Sequence, residues 1–342
     1  MNIPTTDQPF IVVGENIHTT RVLSRKGKLI AKDAAGLESI RFRDVDNNRR
    51  LLAIPEATRK TQDYEEGRVK HLKIAVGQAM ADNRDAFDYI ARQVQRQEQA
   101  GADFLDLNVD EISIRIEEQQ EAMRWLVDAV HGMSNLPLSI DSSNSEILRA
   151  GLERCADHTA RPLLNSASLE RLDGLDLARE FNAQVVITAA GESGMPADVE
   201  ERIGHALRMV EAADQRSIPL ADLFIDPLIF PVSVDGAYGQ HALGAIEQLR
   251  ARLGSEVHIT GGFSNVSFGL PCRQLINDVF LLLAVEAGAD SAILDPTASS
   301  ITDVFSNDRT AAPYALAEDV LMGRDEYCTR FIRAYRKGEL TP

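Results

Sequence analysis

The chain has 342 residues, 44% hydrophobic and 26% charged, and one α/β barrel of about 250 residues with an insertion fits that length as well as two domains of about 150 do. Thirty-six Lys and Arg against 52 Asp and Glu give a net charge of −16, which repels a polyphosphate backbone and argues against nucleic acid as a partner. No run of about 18 apolar residues occurs, and the start MNIPTTDQPF has neither a basic nor an apolar leader region, so no membrane span or secretory signal is expected and the reading is cytoplasmic.

In chain order, Phe10–Val13 is the first short apolar run that reads as a strand. The stretch before the second is far too long for one connecting helix. Ala86–Ala100, ahead of Gly101, has the periodicity of that helix, which leaves roughly residues 18–84 as an insertion. Further strand signals follow at Phe104–Leu107, Leu138–Ile140, Leu163–Leu164, Val185–Ile187, Leu223–Ile225, His258–Thr260 and Ser291–Leu294. Helical periodicity lies between them, for example at Ala122–Val130, Glu146–Cys155, Asp198–Ala213 and Ala242–Leu253. Eight such βα units predict a TIM (β/α)8 barrel, a single domain over residues 1–342 with an insertion after the first strand. A doubly wound sheet fits less well. It needs two of these runs to be loops and a glycine-rich first turn, which Gly14-Glu15-Asn16-Ile17 is not.

From His18 to Lys73 fourteen Lys and Arg face eight Asp and Glu, so the insertion is basic in an acidic chain. Because it leaves the C-terminal end of the first strand, it is expected over the barrel mouth, where sites of this fold are built; a merely structural cover is the other reading. The cysteines Cys155, Cys272 and Cys328 are odd in number and far apart, which argues against a disulfide framework or a thiolate zinc site.

The residues at the strand ends are the candidates for chemistry: Glu15-Asn16, Asp106 to Asn108, Asp141 to Asn144, Asn165-Ser166, Thr188, Asp226, Ser264-Asn265 and Asp295. This ring is made of carboxylates and carboxamides. It lacks a strand-end Lys for Schiff-base chemistry and suits a flat heterocycle whose edge presents N–H, amino and carbonyl groups. Each member has a plainer reading, because Asp or Asn after a strand often caps the next helix.

The segments FLDLNV (104–109), SIDSSN (139–144), LNS (164–166), IDPL (225–228) and FSNVS (263–267), in that order and at those intervals, resemble the pterin-binding methyltransferases. They are most similar to the methyltetrahydrofolate:corrinoid protein methyltransferases and to the folate domain of cobalamin-dependent methionine synthase. The resemblance implies a barrel that binds tetrahydrofolate or 5-methyltetrahydrofolate at its mouth. It implies methyl transfer between N5 and the cobalt of a corrinoid carried by a partner protein on a separate chain, and a homodimer.

By resemblance, Asn265 is the catalytic residue whose amide meets N5. Asp141, Asn165 and Asp226 match positions that grip the pyrimidine edge, and Asn108 and Arg273 join the binding set. A tertiary amine is a poor leaving group, so N5 must gain a proton or a hydrogen bond as its C–N bond breaks, and an amide serves either charge state. No metal site of the protein's own is implied, since the histidines lack ligand spacing. Two other functions compete: a dihydropteroate synthase-like enzyme, which needs basic strand-end groups for a diphosphate that are missing here, and a non-catalytic folate-binding barrel, which has no use for a side chain aimed at N5.

Overall fold

A computed structural model of the chain describes residues 9–156, 158, 160–298, 301–306 and 308–340. Strand β1 (Ile11–His18) is followed by β2 (Leu23–Ser24), β3 (Ile30–Lys32), β4 (Glu38–Arg43), β5 (Arg49–Ala53), two short helices α1 (Glu56–Arg59) and α2 (Gln62–Glu65), and β6 (Arg68–Val69). Helices α3 (His71–Ala79) and α4 (Arg84–Gln99) lead to β7 (Phe104–Asn108), and α5 (Ile116–His131), β8 (Leu138–Asp141), α6 (Ser145–Cys155) and β9 (Leu163–Ala167) continue. Then come α7 (Asp173–Glu180), β10 (Gln184–Thr188), α8 (Val199–Asp214), β11 (Leu223–Asp226), α9 (Tyr238–Leu253), β12 (His258–Ile259), α10 (Arg273–Ala287) and β13 (Ser291–Leu294). Helices α11 (Ile301–Phe305), α12 (Ala312–Leu321) and α13 (Thr329–Arg336) end the described chain.

The eight strands expected from the sequence form one sheet in the order β12-β11-β10-β9-β8-β7-β1-β13. The first and last strands of that order meet through a parallel bridge between Gly262 and Ile293, and the fold is a TIM barrel. Strands of a parallel sheet are covered on both faces and read as nearly continuous buried runs; all five residues of β7 are buried. No described helix is long and apolar enough to cross a membrane.

By internal contacts the chain divides into two compact units, one from Gly14 to Asn165 and the other holding the described residues up to Val13 and from Ser166 onward. In the first, the parallel register pairs Asn108 with Asp141 and Asp141 with Asn165, so Asn108 and Asp141, the last residues of β7 and β8, stand in a row with Asn165 in the middle of β9. Helix α6 packs so close to β8 that a Cβ on Gly151 would lie 2.6 Å from Ile140 Cγ2. Asn83 and Asn144 cap α4 and α6 with their side chains.

The same unit corrects two expectations. First, β1 does not stop at Val13 but runs to His18, so His18 is a strand-end residue, and the insertion starts after it. Gly14 makes this possible: a Cβ there would strike Gln97 Oε1, the atom that accepts the Asn16 N–H at 3.0 Å. Second, the insertion does not lie as one piece over the strand ends. Its three-stranded antiparallel sheet, β3-β4-β5, packs on α4, with Phe42 edge-on to Tyr89. Its flanks reach the loop after β7: Thr19 N–H donates to Asn108 O, Thr19 Oγ1 accepts the Glu111 N–H, and Lys70 pairs with Glu111 at 2.7 Å.

In the second unit β10 and β11 pair Thr188 with Asp226, and β11 pairs with β12. Asp198 caps α8 by accepting the Glu201 N–H, while the Glu201 side chain accepts the Ala197 N–H just before the cap.

Candidate functional site

In the unit from Gly14 to Asn165, parallel register places the ends of β7, β8 and β9 side by side, and alternation turns Asp106 and Asn108 to the same face of β7. Asn108 Nδ2 donates to Asp141 Oδ2 at 2.9 Å. Asn165 Nδ2 lies 3.4 Å from Asp106 Oδ2. His18 Nε2, from the end of β1, bonds the same Asp106 Oδ2 at 2.9 Å. Asp106 is fully buried, and its Oδ1 has no hydrogen-bond partner, so one acceptor of this group remains unsatisfied. Three sequence-predicted residues, Asn108, Asp141 and Asn165, thus converge, joined by His18 and Asp106.

The electrostatics are those of acids crowded around one cation. Burial raises the Asp141 carboxyl, the nearby charge of Asp106 raises it further, and the opposing pull of His18 and the Asn108 hydrogen bond leaves it at about 7. Burial by itself lowers His18, but the hydrogen bond and charge of Asp106, with Asp141 and Glu15, overturn that and raise it to about 9. His18 is therefore an imidazolium at neutral pH. His18, Asp106 and Asp141 each bring a ligand-type atom within 4.8 Å of the others; here the His18 nitrogen is engaged by Asp106 in an ion pair, with Asp141 beside it.

Asp110, just beyond β7, organises the next turn. Its carboxylate accepts from Ser142 Oγ at 2.6 Å and from both the N–H and Oγ of Ser143 at 3.1 Å. The segment that follows Asp141 is held in place from outside its own strand.

In the other unit, Asp226 ends β11. Its Oδ1 accepts the Leu228 N–H at 2.8 Å, and Gly261 passes so close that a Cβ there would sit 3.0 Å from that oxygen. Burial raises the Asp226 carboxyl to about 6 against that N–H bond and the charge of Arg202. Arg202, on α8, is fully buried; Nη1 donates to Asp198 O at 2.9 Å, and the guanidinium lies 4.9 Å from the Phe230 ring. Asn265 stands exposed on the short 3-10 turn Phe263–Ser267 that follows β12. A Cβ on Gly262 would lie 3.0 Å from its Nδ2. Arg273, the first residue of α10, clamps that turn: Nη2 donates to Ser264 O at 2.7 Å, and Nε bonds Ser267 Oγ at 3.0 Å.

Other strand-end residues have local partners. Thr188 Oγ1 lies 3.5 Å from Ala167 O, Asp295 Oδ1 accepts from the N–H and Oγ1 of Thr297, and Asn144 caps α6. Glu15 and Asn16, expected at a strand end, lie inside β1, where Asn16 is buried and Glu15 faces Arg21. His18 is the residue that sequence reasoning missed. The continuation GENIH after the apolar run carries no local strand signal.

Residues 78–295 match the family described as pterin binding enzyme. The methylcorrinoid:tetrahydrofolate methyltransferase of Eubacterium limosum is 32% identical over 273 residues, 78% of this chain and 93% of that protein. The methionine synthase of Mycobacterium leprae is 32% identical over 213 residues, 58% of this chain but only 17% of that longer protein. Among solved structures, dihydropteroate synthase from Xanthomonas albilineans in complex with 7,8-dihydropteroate aligns with a TM-score of 0.52 at 20% identity, covering 65% of this chain and 83% of that one. The dihydropteroate synthase of Stenotrophomonas maltophilia aligns with a TM-score of 0.53 at 22% identity, covering 65% and 86%; these two likenesses establish the barrel fold alone. With the family match spanning most of the chain and a methyltransferase aligned along nearly its whole length, the chain belongs to the pterin-binding enzyme family and is a methyltransferase.

Proposed function

We propose that this enzyme moves a methyl group between N5 of tetrahydrofolate and the cobalt of a corrinoid presented by a separate protein. The observation that carries the reading is the register-aligned row Asn108, Asp141 and Asn165, together with Asp226 as a second strand-end carboxylate. The relative from Eubacterium limosum, whose name pairs a methylcorrinoid with tetrahydrofolate, supports it. In this reading Asp141, Asn165 and Asp226 take the amino and N–H groups of the pyrimidine edge, and Asn108 orients Asp141.

Transfer is an SN2 displacement: the N5–CH3 bond breaks as the methyl–cobalt bond forms, and the electron pair left on N5 takes up a proton. Asn265, on a turn braced by Arg273, is assigned to N5, where its amide donates to the developing lone pair or accepts from protonated N5. The same site run backwards methylates tetrahydrofolate. A dihydropteroate synthase reading has less support, because Asn265 and Asp295 follow the last two strands where that chemistry needs cations to hold a diphosphate. The assembly we propose is a homodimer, for which sedimentation should give about twice 37.6 kDa.

The test is to titrate the purified protein with 5-methyltetrahydrofolate, then add free cob(I)alamin and follow the cobalt spectrum. Saturable folate binding followed by loss of cob(I)alamin supports the reading. Binding with no spectral change makes the protein a non-catalytic folate barrel, and no binding removes the pterin assignment.

A further inference from the structure

We propose that His18 is a positioning residue, a fixed cation at the end of β1 that keeps Asp141 ionised beside Asp106 so that the carboxylate can accept the pyrimidine edge of the folate; this rests on the pterin reading of the site. The geometry is specific. His18 Nε2 bonds Asp106 Oδ2 at 2.9 Å, and the reactive atoms of His18, Asp106 and Asp141 lie within 4.8 Å of one another. Two carboxylates that close cannot both be ionised cheaply in a buried site, and one of them takes up a proton unless a positive charge sits with them.

A protonated Asp141 is the wrong partner for a pterin edge. It presents a hydroxyl where the ligand brings N–H groups, so one pair of donors faces each other. Asn108 donates to Asp141 and also favours the anion, but an amide brings no positive charge to offset Asp106. The groups around His18 are Asp106 in the middle of β7, Asp141 at the end of β8 and Glu15 on its own strand, while Asp110 beyond β7 bears on Asp141. All are acids. Arg21, the nearest basic residue on the segment after β1, is paired with Glu15 at 3.4 Å. Among the groups that act on Asp141, His18 is thus the source of positive charge.

The sign of the effect follows. Asp141, at about 7, is ionised above neutrality, so folate affinity should fall as pH drops through 7. Removing the His18 charge moves that fall to higher pH. Near pH 9.5 His18, raised to about 9, has lost most of its charge, and a variant without the charge should come close to the native protein there.

The experiment measures the dissociation constant of 5-methyltetrahydrofolate from pH 5.5 to 9.5 for the native protein, His18→Gln and His18→Lys. Gln can still donate to Asp106 but carries no charge; Lys restores one. The expected result is binding by His18→Gln that is about tenfold weaker than native at pH 6.5 for each unit by which the limb moves, converging with native at pH 9.5, and a profile for His18→Lys close to native. Equal weakening at every pH, or an unchanged profile, assigns His18 a merely structural role and overturns the proposal. Should His18→Gln fail to fold, His18→Lys and the native profile decide: a native affinity that does not fall below pH 7 overturns it. Native protein that binds no folate at any pH removes the functional reading and this assignment with it, whereas native binding with coincident variant profiles removes the assignment alone.

Discussion

Asp141 and Asp226 are the same residue at the same place in a βα unit, the last position of a parallel strand, yet they are held differently. Asp141 lies among other acids, with an imidazolium and an amide donor for support. Asp226 has a backbone N–H on one oxygen and a buried guanidinium acting from α8. Burial is the leading cause of the upward shift in both, to about 7 and about 6. Their company differs: nearby carboxylates push Asp141 further up against His18 and Asn108, whereas a backbone N–H and the charge of Arg202 draw Asp226 down. A strand end in this fold specifies where a carboxylate stands, and its neighbours specify the pH range in which it can accept a hydrogen bond.

The largest expected effect lies at neither acid. Asn265→Ala should lower methyl transfer on the order of a hundredfold or more, the usual scale for removing one preorganised polar contact to a transition state, while folate affinity changes by only a few-fold. Stopped-flow transfer rates set beside equilibrium binding check this; matching losses would assign Asn265 to binding instead of transfer.

Next come the acids themselves. Asp141→Ala and Asp226→Ala should each weaken folate binding by about 1–3 kcal/mol, because pterin donors are left unpaired. The isosteric variants sharpen the contrast. Asp226→Asn leaves Asp141 to set the acid limb of binding near pH 7, and Asp141→Asn leaves Asp226 to set it near 6. In both, affinity falls as pH falls, since the ionised form is the acceptor. Identical limbs in the two variants would erase the difference drawn here.

Arg273→Ala removes two bonds from an exposed guanidinium to the Asn265 turn. The expected cost is about 1 kcal/mol, roughly a fivefold slower transfer, visible in the rate and not in the pH limb. The smallest effect is expected in the insertion. Arg41, Arg43 and Arg49 are exposed on a sheet packed against α4, and changing all three to Gln should leave folate affinity within about twofold. A tenfold change would show that the insertion serves the site.

The strand ends were legible in the sequence because buried parallel strands are short, apolar and bounded by polar residues. Phe104–Leu107 and Leu223–Ile225 were found within a residue of their bounds. Asp141, Asn165 and Asp226 stood out as the polar residues closing such runs. His18 did not, since Gly14, Glu15 and Asn16 are poor strand formers and the strand persists there through a contact with Gln97 from 81 residues away, which no local pattern encodes. The sheet of the insertion was hidden by charge. Its β4 does alternate as Ile40-Arg41-Phe42-Arg43, the period of a half-buried strand, but four residues among so many charges are too short a run to stand out. The turn between β4 and β5 is built locally, with Asn47 at φ 68° and Asp44 Oδ1 accepting the N–H groups of Asp46 and Asn48.

The most direct test starts from the corrinoid side. The native enzyme is mixed anaerobically with methylcobalamin and tetrahydrofolate, and the cobalt spectrum and the folate product are followed together. The account predicts cob(I)alamin and 5-methyltetrahydrofolate appearing in equal amounts, with a rate on the order of a hundredfold lower for Asn265→Ala. Tetrahydrofolate bound at saturation, with the methylcobalamin spectrum unchanged and no methylated folate formed, would contradict it.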